Sequence, residues 1–314
     1  PTPLDPGEVE SLALPCESFK LAFTPGLLHG IWGEKLSPEE LATLIKDEGR
    51  YQQLEEGIDA PWWIPSGRQA FVPEQFYLPN RMQDPFGEKY FFEYDDYSLV
   101  VIRTEDPLKN AVTVVNNYRV IQPWQITDPN GNRAQVACDT LGMVVGTAVM
   151  GKEDDSPPQG DSLERFTPDL PQDEIDRFFA DPLGTAADHL GTATTRIIYE
   201  LDRYQQSGQP VYAATLARET HGSNPVPTDG LKVQVSFLYS DGFGRELQTK
   251  IQAEPGLAPA RDGAGHLRRD DAGALIEEET DSRWVGNGRT IYNNKGKPVK
   301  QYEPFFSGTH QYET

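Results

Sequence analysis

The chain has 314 residues, of which 49 are Asp or Glu and 28 are Lys or Arg, for a formal net charge of −21. That balance serves solubility first and argues against nucleic acid or an anionic membrane as partner, because phosphates need cations to neutralise them. No apolar run approaches the length of about 18 residues that a membrane-spanning helix requires, and 28 glycines with 26 prolines fit a turn-rich β protein rather than a helical bundle.

Residues 1–60 form a lead-in segment. Ser18 to Phe23 predicts a short strand. Ser37-Pro38-Glu39-Glu40 is a capping box, with Ser at the N-cap, Pro at the first helical position and Glu at the third. Leu41, Leu44 and Ile45 then share a helical face, and Gly49 ends the helix. The chain opens on Pro-Thr-Pro, with no signal peptide or initiator Met, and stops at Tyr312-Glu313-Thr314; it reads as a piece of a longer polypeptide. Next comes Pro61-Trp62-Trp63-Ile64-Pro65. Paired tryptophans between prolines fit a carbohydrate platform, but strand or core anchors are the stronger reading, because aromatic rings carry much of a sheet's packing.

Residues 61–150 hold the most regular pattern. Asp84, Asp95, Asp106, Asn117, Asp128 and Asp139 recur every eleven residues. Three of them open similar motifs, Asp84-Pro85-Phe86-Gly87, Asp106-Pro107-Leu108-Lys109 and Asp128-Pro129-Asn130-Gly131, so the larger unit is 22 residues. Such a period signals a repeated supersecondary unit. Asp caps backbone N–H groups ahead of it, Pro fixes its own φ, and Gly accepts positive φ. The segments between corners alternate: Tyr90, Phe92 and Tyr94 on one face, then Val112 and Val114, then Ala134, Val136 and Cys138. Period two with β-branched and aromatic residues predicts antiparallel strands. Eleven residues thus give one strand and one corner, and 22 give a hairpin. The array closes on the apolar strand Leu141 to Val149.

Residues 151–193 read as an acidic insertion. Lys152 to Gln159 is a loop by composition, and Pro171 to Phe179 carries the acidic first turn and apolar stripe of a short helix, expected to cover a sheet edge or plug a gap. Strand patterning resumes over 194–314: Thr195 to Leu201, Val211 to Glu219, Val233 to Tyr239, a turn at Asp241-Gly242-Phe243-Gly244-Arg245, then Leu247 to Ala253. A long exposed loop is expected over 254–281. Arg289 to Tyr292, a turn at Asn293-Asn294-Lys295-Gly296 and a strand from Val299 to Phe306 complete the chain. The fold class is all-β, an antiparallel hairpin ribbon with a few short peripheral helices.

The chemistry-bearing residues form no recognisable motif. The histidines 29, 189, 221, 266 and 310 show no metal-ligand spacing, and no His-Glu-x-x-His or Gly-x-Ser-x-Gly occurs. Cys16 and Cys138 are the only cysteines, too few and too distant for a disulfide scaffold or zinc site. Asp128-Pro129-Asn130-Gly131-Asn132 superficially matches a calcium loop, but its Gly is fourth instead of sixth and position 139 is Asp instead of Glu. Among 49 carboxylates no spacing singles out an acid–base pair. No catalytic residue, cofactor or metal ligand is predicted.

Tyr94-Asp95, Asp241-Gly242-Phe243-Gly244-Arg245 and Tyr292-Asn293-Asn294-Lys295-Gly296 resemble the corners of RHS or YD repeats. Longer blocks narrow this: Trp62-Trp63-Ile64-Pro65-Ser66-Gly67-Arg68, Leu141 to Val149, Tyr239 to Glu246, and Asn293 to Phe305 together resemble the B component (SpvB/TcdB-like) of insecticidal Tc toxin complexes, from about residue 15 onward. The resemblance implies a secreted, non-catalytic stretch of wall in a hollow RHS shell that the B and C components build around the toxic end of C. It implies as partners the C component, flanking segments of the same polypeptide including a propeller, and indirectly the pore-forming A component, without membrane insertion by this segment. Nothing here matches the propeller or the aspartyl self-cleavage core of that family. Two other readings stand beside it: an extracellular glycan- or receptor-binding module using Trp62 and Trp63, and an acidic hydrolase.

Overall fold

The structure is a computed structural model, and it describes residues 4–313 except 6, 12, 16, 34, 58, 229 and 264. Cys16 therefore lies outside the described residues. The chain divides into two compact units, residues 1–116 with 126–129, and residues 117–125 with 130–314.

In the first unit, strand β1 (Phe19–Phe23) pairs antiparallel with β2 (Trp62–Pro65), Leu21 facing Trp63 and Phe23 facing Trp62. Between them lie α1 (Pro25–Trp32) and α2 (Pro38–Thr43). The capping box forms: Ser37 N–H donates to Glu40 Oε2 at 2.9 Å and Glu40 N–H to Ser37 Oγ at 3.3 Å. Past α2 the helix widens into one π turn, Leu44–Glu48, in which Gly49 N–H reaches back to Leu44 O at 2.8 Å. Leu28, Ile45 and Trp62 form a small core, with Phe23, Leu41 and Tyr51 packed against it.

A meander follows: β3 (Arg68–Val72), β4 (Leu78–Gln83), β5 (Lys89–Tyr94), β6 (Val101–Glu105) and β7 (Ala111–Asn117), each antiparallel to the one before. None of the residues in these five strands is fully buried. This sheet therefore has two half-covered faces and no apolar core of its own. The boundary between units falls at β7 and β8 (Gln122–Thr127).

The second unit continues the same logic with a real core. Its strands are β9 (Arg133–Cys138), β10 (Val144–Met150), β11 (Thr195–Glu200), β12 (Val211–Arg218), β13 (Val233–Ser240), β14 (Glu246–Ala253), β15 (Gly256–Pro259), β16 (Glu277–Thr280), β17 (Arg283–Gly286), β18 (Thr290–Tyr292), β19 (Pro298–Gln301) and β20 (Phe305–Ser307). The main sheet runs β20-β17-β14-β13-β12-β11-β10-β9, while β15-β16 and β18-β19 form separate hairpins. Burial alternates residue by residue, Tyr212, Ala214 and Leu216 on β12 and Val235, Phe237 and Tyr239 on β13, as a period of two demands of a sheet with one covered face.

The cover is the insertion. It contains two helices, α3 (Gln172–Ala180) and α4 (Pro182–Leu190), where patterning predicts one. They lie on the sheet face: Phe178, Ala186 and Leu190 join Ile198, Phe237 and Trp284 in one buried cluster. The expected edge cover is thus corrected to a face cover. A further short helix, α5 (Arg203–Ser207), sits in the β11–β12 connection. Two strand expectations also change. The strand predicted from Val299 to Phe306 is broken by Pro304 into β19 and β20, which belong to different sheets. The loop predicted over 254–281 is folded: β15 pairs with β16, and isolated bridges join Arg261 to Leu267 and Arg269 to Leu275.

Candidate functional site

The corner residues share one role, a side-chain oxygen that accepts backbone N–H groups two to five residues ahead. Asp84 Oδ1 accepts from Phe86 and Glu88 N–H, both at 2.9 Å; Asp106 Oδ1 from Leu108 and Asn110 N–H at 2.8 and 2.9 Å; Asp95 Oδ1 from Leu99 and Val100 N–H at 2.7 and 3.2 Å. Asp139 accepts from Met143 N–H at 2.8 Å and Asn117 from Arg119 N–H at 3.0 Å. Asp241 and Asn293 repeat the pattern with Phe243 at 2.9 Å and with Lys295 at 2.9 Å. Hydrogen bonds from Asn110 hold the Asp106 carboxyl below its ordinary range; at Asp241 burial pulls upward, but bonds from Arg245 and Phe243 outweigh it. The fourth corner residue turns left-handed: Gly87, Gly131, Gly244 and Gly296 have φ of 95°, 88°, 76° and 71°. At Asp84 and Asn293 that residue's N–H donates back to the carbonyl of the opening residue at 3.1 and 3.0 Å, closing a three-residue hairpin connection; the Asp241 corner differs, because Gly242 is left-handed as well, with φ of 79°. Ser98 and Lys109 take the same position with φ of 56° and 71°, and Ile121 adopts φ of 52° one residue later than expected. Asp128 opens the corner that ends in Gly131.

Patterning passes over two further corners. Asp262 accepts from His266 N–H at 2.9 Å, and Asp270 from Ala272 and Ala274 N–H at 2.9 and 2.8 Å. They stand eight residues apart, not eleven, in Arg261-Asp262 and Arg269-Asp270 contexts, and each Arg donates to the carbonyl of its own corner glycine, Gly265 or Gly273. The backbone closes a ring: Ala260 N–H donates to Ile276 O, Ile276 N–H to Arg268 O and Arg268 N–H to Ala260 O. A search for a second period would have found this.

Trp62 is 9% exposed and packs on Leu28 and Ile45, while Trp63 is half-buried with its Nε1 shut away from solvent. Trp62 thus lies in the small core, and Trp63 sits half-buried in the β1–β2 pair.

Three polar clusters in the second unit escape sequence reasoning, because each depends on how separate elements pack together. The first lines a cleft of 510 Å³ beside α3 and α4. His189 places Nδ1 2.9 Å from Thr185 O and Nε2 3.3 Å from Glu174 Oε2. Arg177 lies 3.2 Å from Glu174 and 3.8 Å from Asp188. Arg196, lowered by burial to about 10, donates to His189 O at 2.6 Å and stacks 4.1 Å from the Phe166 ring. The two carboxylates of this cleft are joined through Arg177, an ion-pair arrangement that fixes helix to helix. The second cluster surrounds the buried Asp161, which accepts from Thr194 Oγ1 at 2.5 Å and Gly222 N–H at 2.6 Å and lies 3.2 Å from Arg218 Nη1 and 2.9 Å from His221 Nδ1. It ties the start of the insertion to the end of β12.

The third cluster pins residues 308–313 across β13 and β14. Tyr239 Oη donates to His310 O at 2.9 Å, and Gln248 exchanges two bonds with the backbone of Glu313, at 3.0 and 3.3 Å. The buried Lys250 ammonium pairs with Glu313; burial and Arg261 push it down to about 7. The His310 ring lies 4.7 Å from Phe179 and 4.9 Å from Phe237, where burial lowers it to about 4. Among the described residues no three His, Cys, Asp or Glu side chains gather as a metal site, and Cys138 is a free thiol.

No family model and no curated protein matches the sequence. Solved structures do. A crystal structure of TcdB2-TccC3 superimposes with a TM-score of 0.71 at 23% identity, covering 94% of this chain and 14% of that one. The chain shares its fold with part of a Tc toxin. TcdB2-TccC3-Cdc42 matches at a TM-score of 0.70 and 21% identity, over 95% of this chain and 16% of that one. A Photorhabdus luminescens Tc holotoxin pore matches at 0.65 and 23%, over 95% and 16%. At these identities the Tc toxin likeness is one of fold, and the chain spans about one-seventh of the length of the first of these chains.

Proposed function

We propose that this chain is a wall segment of a hollow shell that encloses a toxin polypeptide, non-catalytic itself and working in a secreted Tc-type complex. The observation that carries the reading is the likeness to TcdB2-TccC3 over 94% of the chain. The architecture agrees with it. Strand follows strand antiparallel, each satisfying the backbone of the next, and the connections opened by Asp84, Asp95 and Asp106 are short. The charged cleft beside α3 and α4 uses its ions to bind its own helices together. Its partners would be a C component that completes the shell and supplies the cargo, the flanking parts of its own polypeptide including a propeller, and more remotely a pore-forming A component.

The test is electron microscopy of the full-length parent polypeptide purified with its C-type partner. A closed particle with an internal cavity, and with this segment in its wall, is expected. A compact particle without a cavity, or a cavity wall that excludes these residues, would overturn the proposal.

A further inference from the structure

The corner between β3 and β4 departs from all the others. Neither Asp nor Asn opens it and no Gly closes it; the chain instead turns at Pro73-Glu74-Gln75-Phe76-Tyr77. Phe76 and Tyr77 are both left-handed, with φ of 54° and 56°. Two successive aromatic residues in this region are disfavoured, because Cβ crowds the following carbonyl, and Gly or Asn would serve better. Yet the Phe76 side chain returns little to the fold, since the residue is 80% exposed, and Tyr77 is 43% exposed. A strained backbone that displays a ring to solvent is an observation that calls for an intermolecular role.

The neighbouring corner enlarges the patch. In the β4–β5 register Arg81 faces Phe91 and Met82 faces Tyr90. Because β4 and β5 run antiparallel, the β3–β4 and β5–β6 connections lie at the same end of the meander. The β5–β6 corner there presents Tyr97 and Leu99, 68% and 65% exposed. Four large, exposed apolar side chains thus lie at one end of the meander, a grouping that fits an interaction surface. Its charge is one-sided. Glu74, Asp95 and Asp96 lie in these two corners, and neither corner contains Lys or Arg.

We propose that this aromatic end of the first unit is a docking edge for a cationic polypeptide, one that offers apolar side chains to Phe76, Tyr77 and Leu99 and Lys or Arg to Glu74 and Asp96. The acidic rim disfavours an anionic membrane and a second copy of this edge, since like charges would face each other. The inference does not depend on the shell reading. It is tested on the whole chain by fluorescence anisotropy with an alternating Leu–Arg peptide, an alternating Leu–Glu peptide as control, and flotation with phosphatidylcholine vesicles. The double substitution Phe76→Asn and Tyr77→Asn leaves every charge in place and suits the left-handed backbone, so the variant should melt no lower than the parent. Binding of the Leu–Arg peptide should weaken at least tenfold in the variant and in raised salt, and the Leu–Glu peptide should not bind. Equal binding by parent and variant, or no binding by the parent, overturns the proposal; flotation of the parent lost in the variant overturns it in favour of lipid. If the double variant fails to fold, Leu99→Ser, whose backbone N–H still serves Asp95, carries the same comparison and the same outcomes.

Discussion

At each corner one oxygen and one left-handed residue decide where a strand ends. Asp106 satisfies two N–H groups that the turn would otherwise leave to solvent, and the residue three places on must tolerate positive φ. Lys109 meets that demand less well than Gly131 does at the equivalent place, because at φ of 71° its Cβ crowds the backbone and glycine has none. Replacing Lys109 by Gly should therefore be neutral or stabilising, offset by the lost ion pair with Glu105 at 2.8 Å and the lost ammonium contact with the Phe91 ring at 5.5 Å, both weak because the Lys109 side chain is exposed. Gly131→Val should cost about 1–2 kcal/mol, since it forces a β-branched residue into the same conformation. Thermal melts of the two variants should move in opposite directions, or the first not at all. This much was legible from residue types alone, because corner chemistry is local: the acceptor and its donors lie within five residues of each other.

Secondary elements were legible where the period was clean and not where context outweighed it. Asp181-Pro182-Leu183-Gly184 reads like Asp84-Pro85-Phe86-Gly87, yet it opens α4: Asp181 Oδ1 accepts from Gly184 N–H at 3.0 Å, and Pro182 takes the first helical position. What differs is downstream. Ala186, Leu190 and their neighbours have an apolar face to bury on β12 and β13, whereas the residues after Gly87 alternate. The strap of residues 308–313 could not be read at all, because its partners Tyr239, Gln248 and Lys250 lie about 60 residues or more away. Its pH response follows from His310. The fold holds that imidazole at about 4 against an ordinary 6.5, so between those values the unfolded chain binds a proton that the folded chain refuses. The contribution of His310 to stability should be full above about pH 6.5 and fall as pH drops towards 4, by as much as about 3 kcal/mol. Urea titrations at neutral pH and near pH 4.5 should show this loss, and His310→Phe should shrink the difference between them. An undiminished difference in the variant would place the effect on other groups.

Taken whole, the molecule combines two ways of being a sheet. The second unit buries Phe178, Phe237 and Trp284 between helices and strands; the meander β3–β7 buries no strand residue fully. Both rest on the same backbone pairing, but only the first adds the transfer of apolar side chains out of water, the largest favourable contribution to folding. Hydrogen exchange should separate them, with amides of β12 and β13 protected by at least about 2 kcal/mol more than those of β4 to β6. Equal protection would mean that the meander draws stability from a source other than its side chains. The all-β class and antiparallel order were evident in the sequence from alternation. The contrast in burial was not, because Tyr90, Phe92 and Tyr94 alternate as cleanly as Tyr212, Ala214 and Leu216, and only three dimensions reveal which set acquires a lid.

The spacing of the corners also sets how such a chain can change length. Removing 22 residues between equivalent corners excises one hairpin, and the chain re-enters the sheet at the same end, heading the same way. Removing eleven reverses every later strand and sends each subsequent bend to the opposite margin. Growth and trimming of this sheet should therefore be tolerated in even steps and refused in odd ones.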